Sequence, residues 1–483
     1  MRRKNGQNGI LSGFIWIFME KIASEGMAFI VTLILSRLLL PEDYGAIVVV
    51  NIFTTLANVF VTSGLGVALV QKKDADDLDF STVFWGSLTV SLVLYIVLFF
   101  MAPYIAQMYE TPILKHALRV IGLSLIISVF NNMHRSYVSK KMMFGKFFFS
   151  TIWCTVLAAI VGIVLAYMGF GVWALVAQYM ANRIIRTIVL FFMVNWKPRF
   201  MFSFSRFKTL FQFGWKLLLT ELINTGYLEL RSLVIGLKYS TSDLALYERG
   251  RSYPKLLVNN INTSLQRVLF PAMCNVQDNK DVVKNILKKT TRVTSYIITP
   301  MVLGLAVVAE PLITVLLTEK WVPCVPYMQL YCCFYAFMPV QSGTIQVMKA
   351  LGRSDIYVKL EIVKKIIGIT VLFLTINYGV FAIVLGSVLA NIFSALINII
   401  PMKKLLNYSI FEQLGDYLNG ILPLTAMVIC CLAVKQLPIN NLALVCVQVI
   451  VGIVVYLLVS LIMKNDSFFT VIELTKRLIK KRR

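Results

Sequence analysis

The sequence predicts an all-α polytopic integral membrane protein with about fourteen transmembrane helices, arranged as two pseudo-symmetric six-helix bundles plus two C-terminal helices. Three observations carry this. The 483 residues are 58% hydrophobic and only 14% charged, with a mean hydropathy of +0.77, a composition that needs lipid as its main solvent. Apolar runs of about 20 residues, the length that crosses a hydrocarbon core of roughly 30 Å, recur from one end of the chain to the other. Basic residues gather in alternate connections, as a fixed orientation in a membrane requires.

Marked by length, with charge, Pro and Gly as punctuation, the spans are 10–36, 44–70, 80–102, 116–138, 148–168, 172–194, 213–237, 243–270, 293–317, 326–348, 360–376, 380–400, 419–435 and 442–463. Connections on the N-terminal side hold 29 Lys and Arg, among them Lys72, Lys73, Lys140, Lys141, Lys146, Lys197 and Arg199. The opposite connections hold 5, namely Arg37, Lys115, Lys238, Lys320 and Lys435. Such asymmetry places both termini in the cytoplasm and requires an even number of spans. The net charge of +24 is therefore a topology signal and not the mark of a nucleic-acid partner. The basic tail, 464–483, is expected to lie solvated beside anionic lipid. Met1-Arg2-Arg3-Lys4 leads into an apolar stretch too long for a signal-peptide core, without a small-residue cleavage site, so the first span is expected to stay in the mature protein.

The connections leave no room for a soluble catalytic domain. The longest outer one, around Pro103 to Lys115, is roughly a dozen residues, and Gly169-Phe170-Gly171 and Asn377-Tyr378-Gly379 are little more than turns. Short amphipathic pieces near 201–212 and 281–292 are expected to lie along the interface. A transporter is expected, not an enzyme. The eight cysteines fall mostly inside apolar runs without CxxC spacing and read as packing residues. His116 and His134, the only histidines, cannot make a metal cluster. No cofactor is expected, beyond a coupling proton or sodium ion.

The chain repeats itself at about half its length. Ser36-Arg37-Leu38-Leu39-Leu40-Pro41-Glu42-Asp43-Tyr44-Gly45 and Gly236-Leu237-Lys238-Tyr239-Ser240-Thr241-Ser242-Asp243-Leu244-Ala245 are each a span end, a basic residue, a turn with an acid and a new span. Gly26 and Gly226, and Glu20 and Glu221, match at nearly the same offset. This divides the chain into a bundle at 1–200, a second at 201–400, two further helices within 401–463 and the tail.

Polar residues inside spans locate the function, because a charge at mid-bilayer costs at least a few kcal/mol unless it has water, a partner or a ligand. The span at 243–270 places Glu248, Arg251, Lys255, Asn259, Asn262 and Gln266 on one helical face, and the span at 44–70 carries Asn51, Thr54, Thr55, Asn58 and Thr62 in the same register. Two such stripes fit a wet cavity between two bundles. Arg249, Arg251 and Lys255, with Arg231 or Arg37, are candidates to hold an anion, the arginines by forked hydrogen bonds. Glu20, Glu25, Glu221, Glu229 and Glu248 are candidates for ion coupling. Interhelical ion pairing among the same residues is the competing reading. Pro254 interrupts the second stripe and allows a bend, as hinge or as static kink.

RLLLPEDYG (Arg37 to Gly45), STVFW (Ser81 to Trp85), GFGVWALVAQ (Gly169 to Gln178), RVLFPAM (Arg267 to Met273), Glu319-Lys320-Trp321 and ALGRSD (Ala350 to Asp355) together resemble Wzx-type polysaccharide or O-antigen repeat-unit flippases (lipopolysaccharide biosynthesis proteins). These belong to the multidrug/oligosaccharidyl-lipid/polysaccharide exporter superfamily. The resemblance spans roughly 10–465. It implies alternating access about a V-shaped cavity in the bacterial cytoplasmic membrane. It also implies an undecaprenyl-pyrophosphate-linked oligosaccharide as substrate, moved to the outer leaflet, and association with polysaccharide assembly machinery. A multidrug/cation antiporter of the same superfamily would favour carboxylates and aromatics over Arg and Lys in its cavity. A teichoic or teichuronic acid precursor flippase would differ only in its glycan.

Overall fold

A computed structural model of the chain describes residues 2–482 apart from 73, 142 and 144, with side chains from Met19 to Lys476 except at 147, 474 and 475. Lys73 and Arg483, two of the basic positions that orient the chain, lie outside the described residues, as do the side chains of Arg2, Arg3 and Lys4 and most of those in the basic tail. Every regular element among the described residues is helical. The chain divides into two compact units, Met1–Ala245 and Leu246–Arg483.

The first unit contains α1 (Arg2–Leu38), α2 (Pro41–Thr62), α3 (Leu65–Gln71), α4 (Asp77–Met108), α5 (Ile113–Gly122), α6 (Ser124–Lys140), α7 (Gly145–Tyr167), α8 (Val172–Met193), α9 (Phe204–Lys238) and the first residues of α10 (Thr241–Cys274). The second contains the rest of α10, then α11 (Lys280–Val307), α12 (Ala309–Leu317), α13 (Val325–Ala336), α14 (Met338–Ala350), α15 (Ser354–Thr375) and α16 (Val380–Leu406). It closes with α17 (Ile410–Tyr417), α18 (Ile421–Val434), α19 (Asn441–Ile462) and α20 (Asp466–Arg482).

Among the described residues, eight helical stretches are long and apolar enough to cross a membrane, and nine if α11 and α12, bent by 69°, count as one. The protein is therefore a multi-pass membrane protein. α9, α10 and α15 have the length of a span but carry charges along it: Lys216, Glu221, Glu229 and Arg231 in α9; Glu248, Arg249, Arg251 and Lys255 in α10; Lys359, Glu361, Lys364 and Lys365 in α15. Large apolar side chains such as Phe192 and Phe100 stand open on the outside, as lipid-facing residues must.

Local chemistry fixes where helices begin. Asp76 accepts the Asp79 N–H at 2.9 Å while the Asp79 carboxylate accepts the Asp76 N–H at 3.2 Å, closing a reciprocal cap on α4. Ser409 and Glu412 do the same for α17. The tight turn between α7 and α8 uses Gly169 and Gly171 at φ 80° and 53°, a region open to glycine at little cost.

α1 breaks into α2 at 38–41, and α9 breaks into α10 at 238–241. These two breaks coincide with the repeated turn in the sequence, and their acids act alike: Asp43 accepts the Leu40 N–H at 3.0 Å, and Asp243 accepts the Ser240 hydroxyl at 2.6 Å. The breaks also touch. A Cβ on Gly45 would lie 1.8 Å from the Thr241 carbonyl oxygen, so the two backbones approach as only glycine permits. α9 packs within the first unit against α2, α3 and α4. That unit's core gathers Leu69, Phe84, Val129, Met133 and Trp196, and the second unit's gathers Met273, Leu287, Met348, Met402 and Tyr408.

Candidate functional site

Five helices of the first unit bring polar side chains to a single cavity of about 310 Å³. α1 supplies Glu20, α2 Asn58 and Thr62, and α7 Ser150 and Thr151. α6 supplies Ser128, Asn131, Asn132 and Arg135, and α8 supplies Arg183 and Arg186. On α2, α6 and α8 steps of three and four residues hold each set on one helical face. Val61, Val129 and Met133, on the same helices, enter the apolar core instead. Arg186 is seven residues before the end of α8, about 10 Å along its axis, so the cavity lies inside the span and not at its rim.

The lining is partly satisfied and partly not. Thr151 Oγ1 donates to Glu20 Oε1 at 2.9 Å, and Asn131 Nδ2 donates to Thr187 Oγ1 at 2.8 Å and to the Arg183 carbonyl at 3.5 Å. Asn132 Nδ2 reaches the Val61 and Thr62 carbonyls. Arg183 donates to the Tyr179 hydroxyl at 3.1 Å and Arg186 Nε to Cys154 Sγ at 3.4 Å. Among the described residues, neither of these arginines nor Glu20 forms an ion pair, and the buried Asn58 Oδ1 and Asn131 Oδ1 have no hydrogen-bond partner. Among the described residues the lining has three arginines, Arg135, Arg183 and Arg186, against one glutamate, two more positive charges than negative. Guanidinium groups in a low-dielectric bundle need water or an external anion to complete their shell, and a space of this size holds about ten waters.

The residues predicted from the polar stripes are distributed. Asn58, Thr62 and Glu20 line the cavity. Asn51 is half-buried on α2 and Thr55 exposed. Arg37 is exposed at the end of α1, Glu25 lies 3.9 Å from Lys21, and on α9 Glu221 is exposed, Glu229 half-buried and Arg231 over the Tyr227 ring at 5.8 Å. The remainder belong to the second unit. There Arg251 pairs with Glu248 at 3.3 Å beside the Tyr247 ring, and Arg249 lies over the buried Trp321 ring at 4.9 Å. Lys255 is exposed, Asn259 and Gln266 are half-buried, and Asn262 is buried as acceptor of the Ser342 hydroxyl.

Arg135, Arg183 and Arg186 are not among the predicted residues. A signal for them exists: two arginines one turn apart inside the apolar span at 172–194 meet the same criterion that singles out Arg249 and Arg251.

A family model described as polysaccharide biosynthesis protein matches residues 34–326. The chain belongs to that family. The chain is 26% identical over 344 residues to the succinoglycan biosynthesis transport protein ExoT of Rhizobium meliloti (strain 1021), covering 71% of this chain and 69% of the relative. It is 22% identical over 410 residues to the lipopolysaccharide biosynthesis protein WzxC of Escherichia coli (strain K12), covering 83% and 82%. In fold the chain is similar to the lipid II flippase MurJ in an inward closed conformation, with a TM-score of 0.73 over 94% of this chain and 99% of MurJ. At 16% identity that likeness establishes the fold alone.

Proposed function

We propose that the protein is a flippase that carries undecaprenyl-pyrophosphate-linked oligosaccharide repeat units from the cytoplasmic to the outer leaflet of the bacterial cytoplasmic membrane, by alternating access. The observation that carries this is the polar cavity of the first unit, with its excess of two positive charges. A diphosphate esterified at both ends bears one negative charge on each phosphate, which matches that excess, and arginine forks suit phosphate oxygens. At about 310 Å³ the cavity accommodates a diphosphate and at most the sugar next to it. Recognition would then read the shared anchor, leaving the rest of the glycan outside. Family membership and the roles of ExoT in succinoglycan and of WzxC in lipopolysaccharide biosynthesis support the same substrate class.

The remaining parts of the reading follow from topology. The basic connections favour cytoplasmic termini, and α1, the α13–α14 pair and the charged α9, α10 and α15 bring the nine apolar spans to fourteen if they too cross, the charged ones in the shelter of the other helices. Matching contacts favour two related bundles. Asn131 on α6 donates to the Arg183 carbonyl on α8, and Gln341 on α14 donates to the Asn391 carbonyl on α16. Glu20, inside the cavity, is the carboxylate best placed to couple a proton or sodium ion to the cycle.

The test is reconstitution into liposomes with a defined prenyl-diphosphate oligosaccharide, scoring its appearance in the opposite leaflet. Transport is expected from the parent and its loss from Arg183→Gln with Arg186→Gln. Undiminished transport by that variant, inserted and folded, would overturn the assignment of the cavity.

A further inference from the structure

The connector between α8 and α9 plays no part in the cavity, yet it is held with care. Its backbone is pinned along α4: Trp85 Nε1 donates to the Arg199 carbonyl at 2.8 Å, the Arg199 N–H donates to Ser81 Oγ at 3.3 Å, and the Ser203 N–H donates to Thr82 Oγ1 at 3.1 Å. Two ion pairs fasten it at the sides, Arg199 with Asp77 at 3.3 Å and Arg206 with Asp76 at 2.6 Å.

What this rigid segment displays is apolar. Phe200 is 93% exposed although it stacks on Trp85, and Phe204 is 72% exposed. Exposing large aromatics to water on a backbone fixed by hydrogen bonds would lose free energy with no conformational escape. Their depth resolves this. Trp85 is eight residues inside α4, about 12 Å along the axis from its capped acidic start, so Phe200 sits at the level of a span and not above it. Exposed Lys197 and Lys208 flank Phe200 and Phe204 along the chain. The described residues of 72–79, 140–146 and 197–208, the connections on this side of the unit, hold eight basic side chains against four acidic ones.

We propose that residues 197–208 form a docking surface for acidic phospholipid. Phe200 and Phe204 enter the acyl region, while Lys197 and Lys208 hold phosphodiester headgroups. Apolar anchors below a positive rim are the arrangement that takes amphiphiles with negative heads, and neutral lipid would satisfy only half of it. The inference rests on the membrane location of the chain and not on what the cavity carries.

The test uses the full chain with Phe204 replaced by the photoreactive p-benzoylphenylalanine, in vesicles of equal phosphatidylglycerol and phosphatidylcholine. The crosslinked lipid is identified by mass spectrometry. Phosphatidylglycerol adducts are expected to exceed their bulk share about threefold to fivefold, to return to it in Lys197→Gln with Lys208→Gln, and to return to it at high salt. The same photoreactive residue in place of Tyr378, an exposed side chain in the turn between α15 and α16, is expected to report the bulk ratio. Absence of lipid adducts at position 204, a bulk ratio there, or equal enrichment at position 378 would each overturn the proposal, whatever the transport assay gives.

Discussion

Arg183 and Arg186 are the twelfth and fifteenth residues of α8, and Asn391 and Ser394 hold the same places in α16 of the other unit. The two positions have opposite fates. Asn391 Nδ2 donates to the Phe334 carbonyl at 2.7 Å and its Oδ1 accepts from Gln341 at 2.9 Å, while Ser342 bonds Asn262 nearby. A neutral amide brings both a donor and an acceptor, so such a network closes on itself. Arginine brings five donors and no acceptor. Among the described residues of the first unit's cavity, one carboxylate stands among three arginines, so charge is not matched there in the same way. An excess of guanidinium charge over carboxylate, and not polarity as such, is what sets this lining apart.

The sharpest way to break this contrast is to remove charge on both sides. Arg183→Gln with Arg186→Gln should lower prenyl-diphosphate affinity and transport roughly 100-fold, since charge-assisted contacts are worth about 1.5–3 kcal/mol each. Glu248→Gln with Arg251→Gln, which removes a pair already satisfied at 3.3 Å, should change either by less than about threefold. Binding measured in nanodiscs decides it, and a reversed ranking would return the site to α10.

A milder change adds a negative charge to the lining. Asn58→Asp cancels one of the two excess positive charges and should weaken headgroup binding about tenfold, with the loss shrinking as salt rises. Affinity titrations at two ionic strengths check this; equal affinity would mean that the cavity does not read charge.

In the closed network the expected effect is on folding. Ser342→Ala leaves the buried Asn262 carbonyl without its donor and should cost about 1 kcal/mol in a thermal melt, with affinity unchanged. A loss of affinity instead would make this network part of the binding site.

The smallest effect lies outside the spans and tests whether the cap on α4 is separate from both polar clusters. The Arg206 guanidinium beside Asp76 holds its carboxyl down at about 2, below the ordinary 3.8. The folded state thus favours the ionised form, and its contribution is complete above the ordinary value and lost as pH falls through about 2. Asp76→Asn should cost about 1 kcal/mol or less, because the site is half exposed and screened. The gap between the two melts should stay constant from about pH 8 to 5 and narrow only in stronger acid. A gap that changes near neutrality would point to another group.

Much of the fold was legible in residues taken singly. Asp43 and Asp243 marked the two helix breaks, Gly169 and Gly171 the turn between α7 and α8, and runs such as 80–102 and 442–463 the spans themselves. The candidate cavity was legible only in part. Asn58 and Thr62 belonged to a visible stripe, and Glu20 stood out as a charge within a span, while Arg251 carried the same signal and lies 3.3 Å from Glu248 in the other unit.

Sequence by itself determined the solvent of this protein, the placement of its helices and which face of each is polar, because hydropathy and a period of 3.6 residues are properties of one segment. Tertiary structure decided which polar faces meet. α1, α2, α6, α7 and α8 pool three arginines with one glutamate, while Asn262, Gln341, Ser342 and Asn391 pool groups that satisfy one another. Whether a buried polar group stays open to a ligand depends on its neighbours' capacity to answer it, and those neighbours arrive from distant parts of the chain.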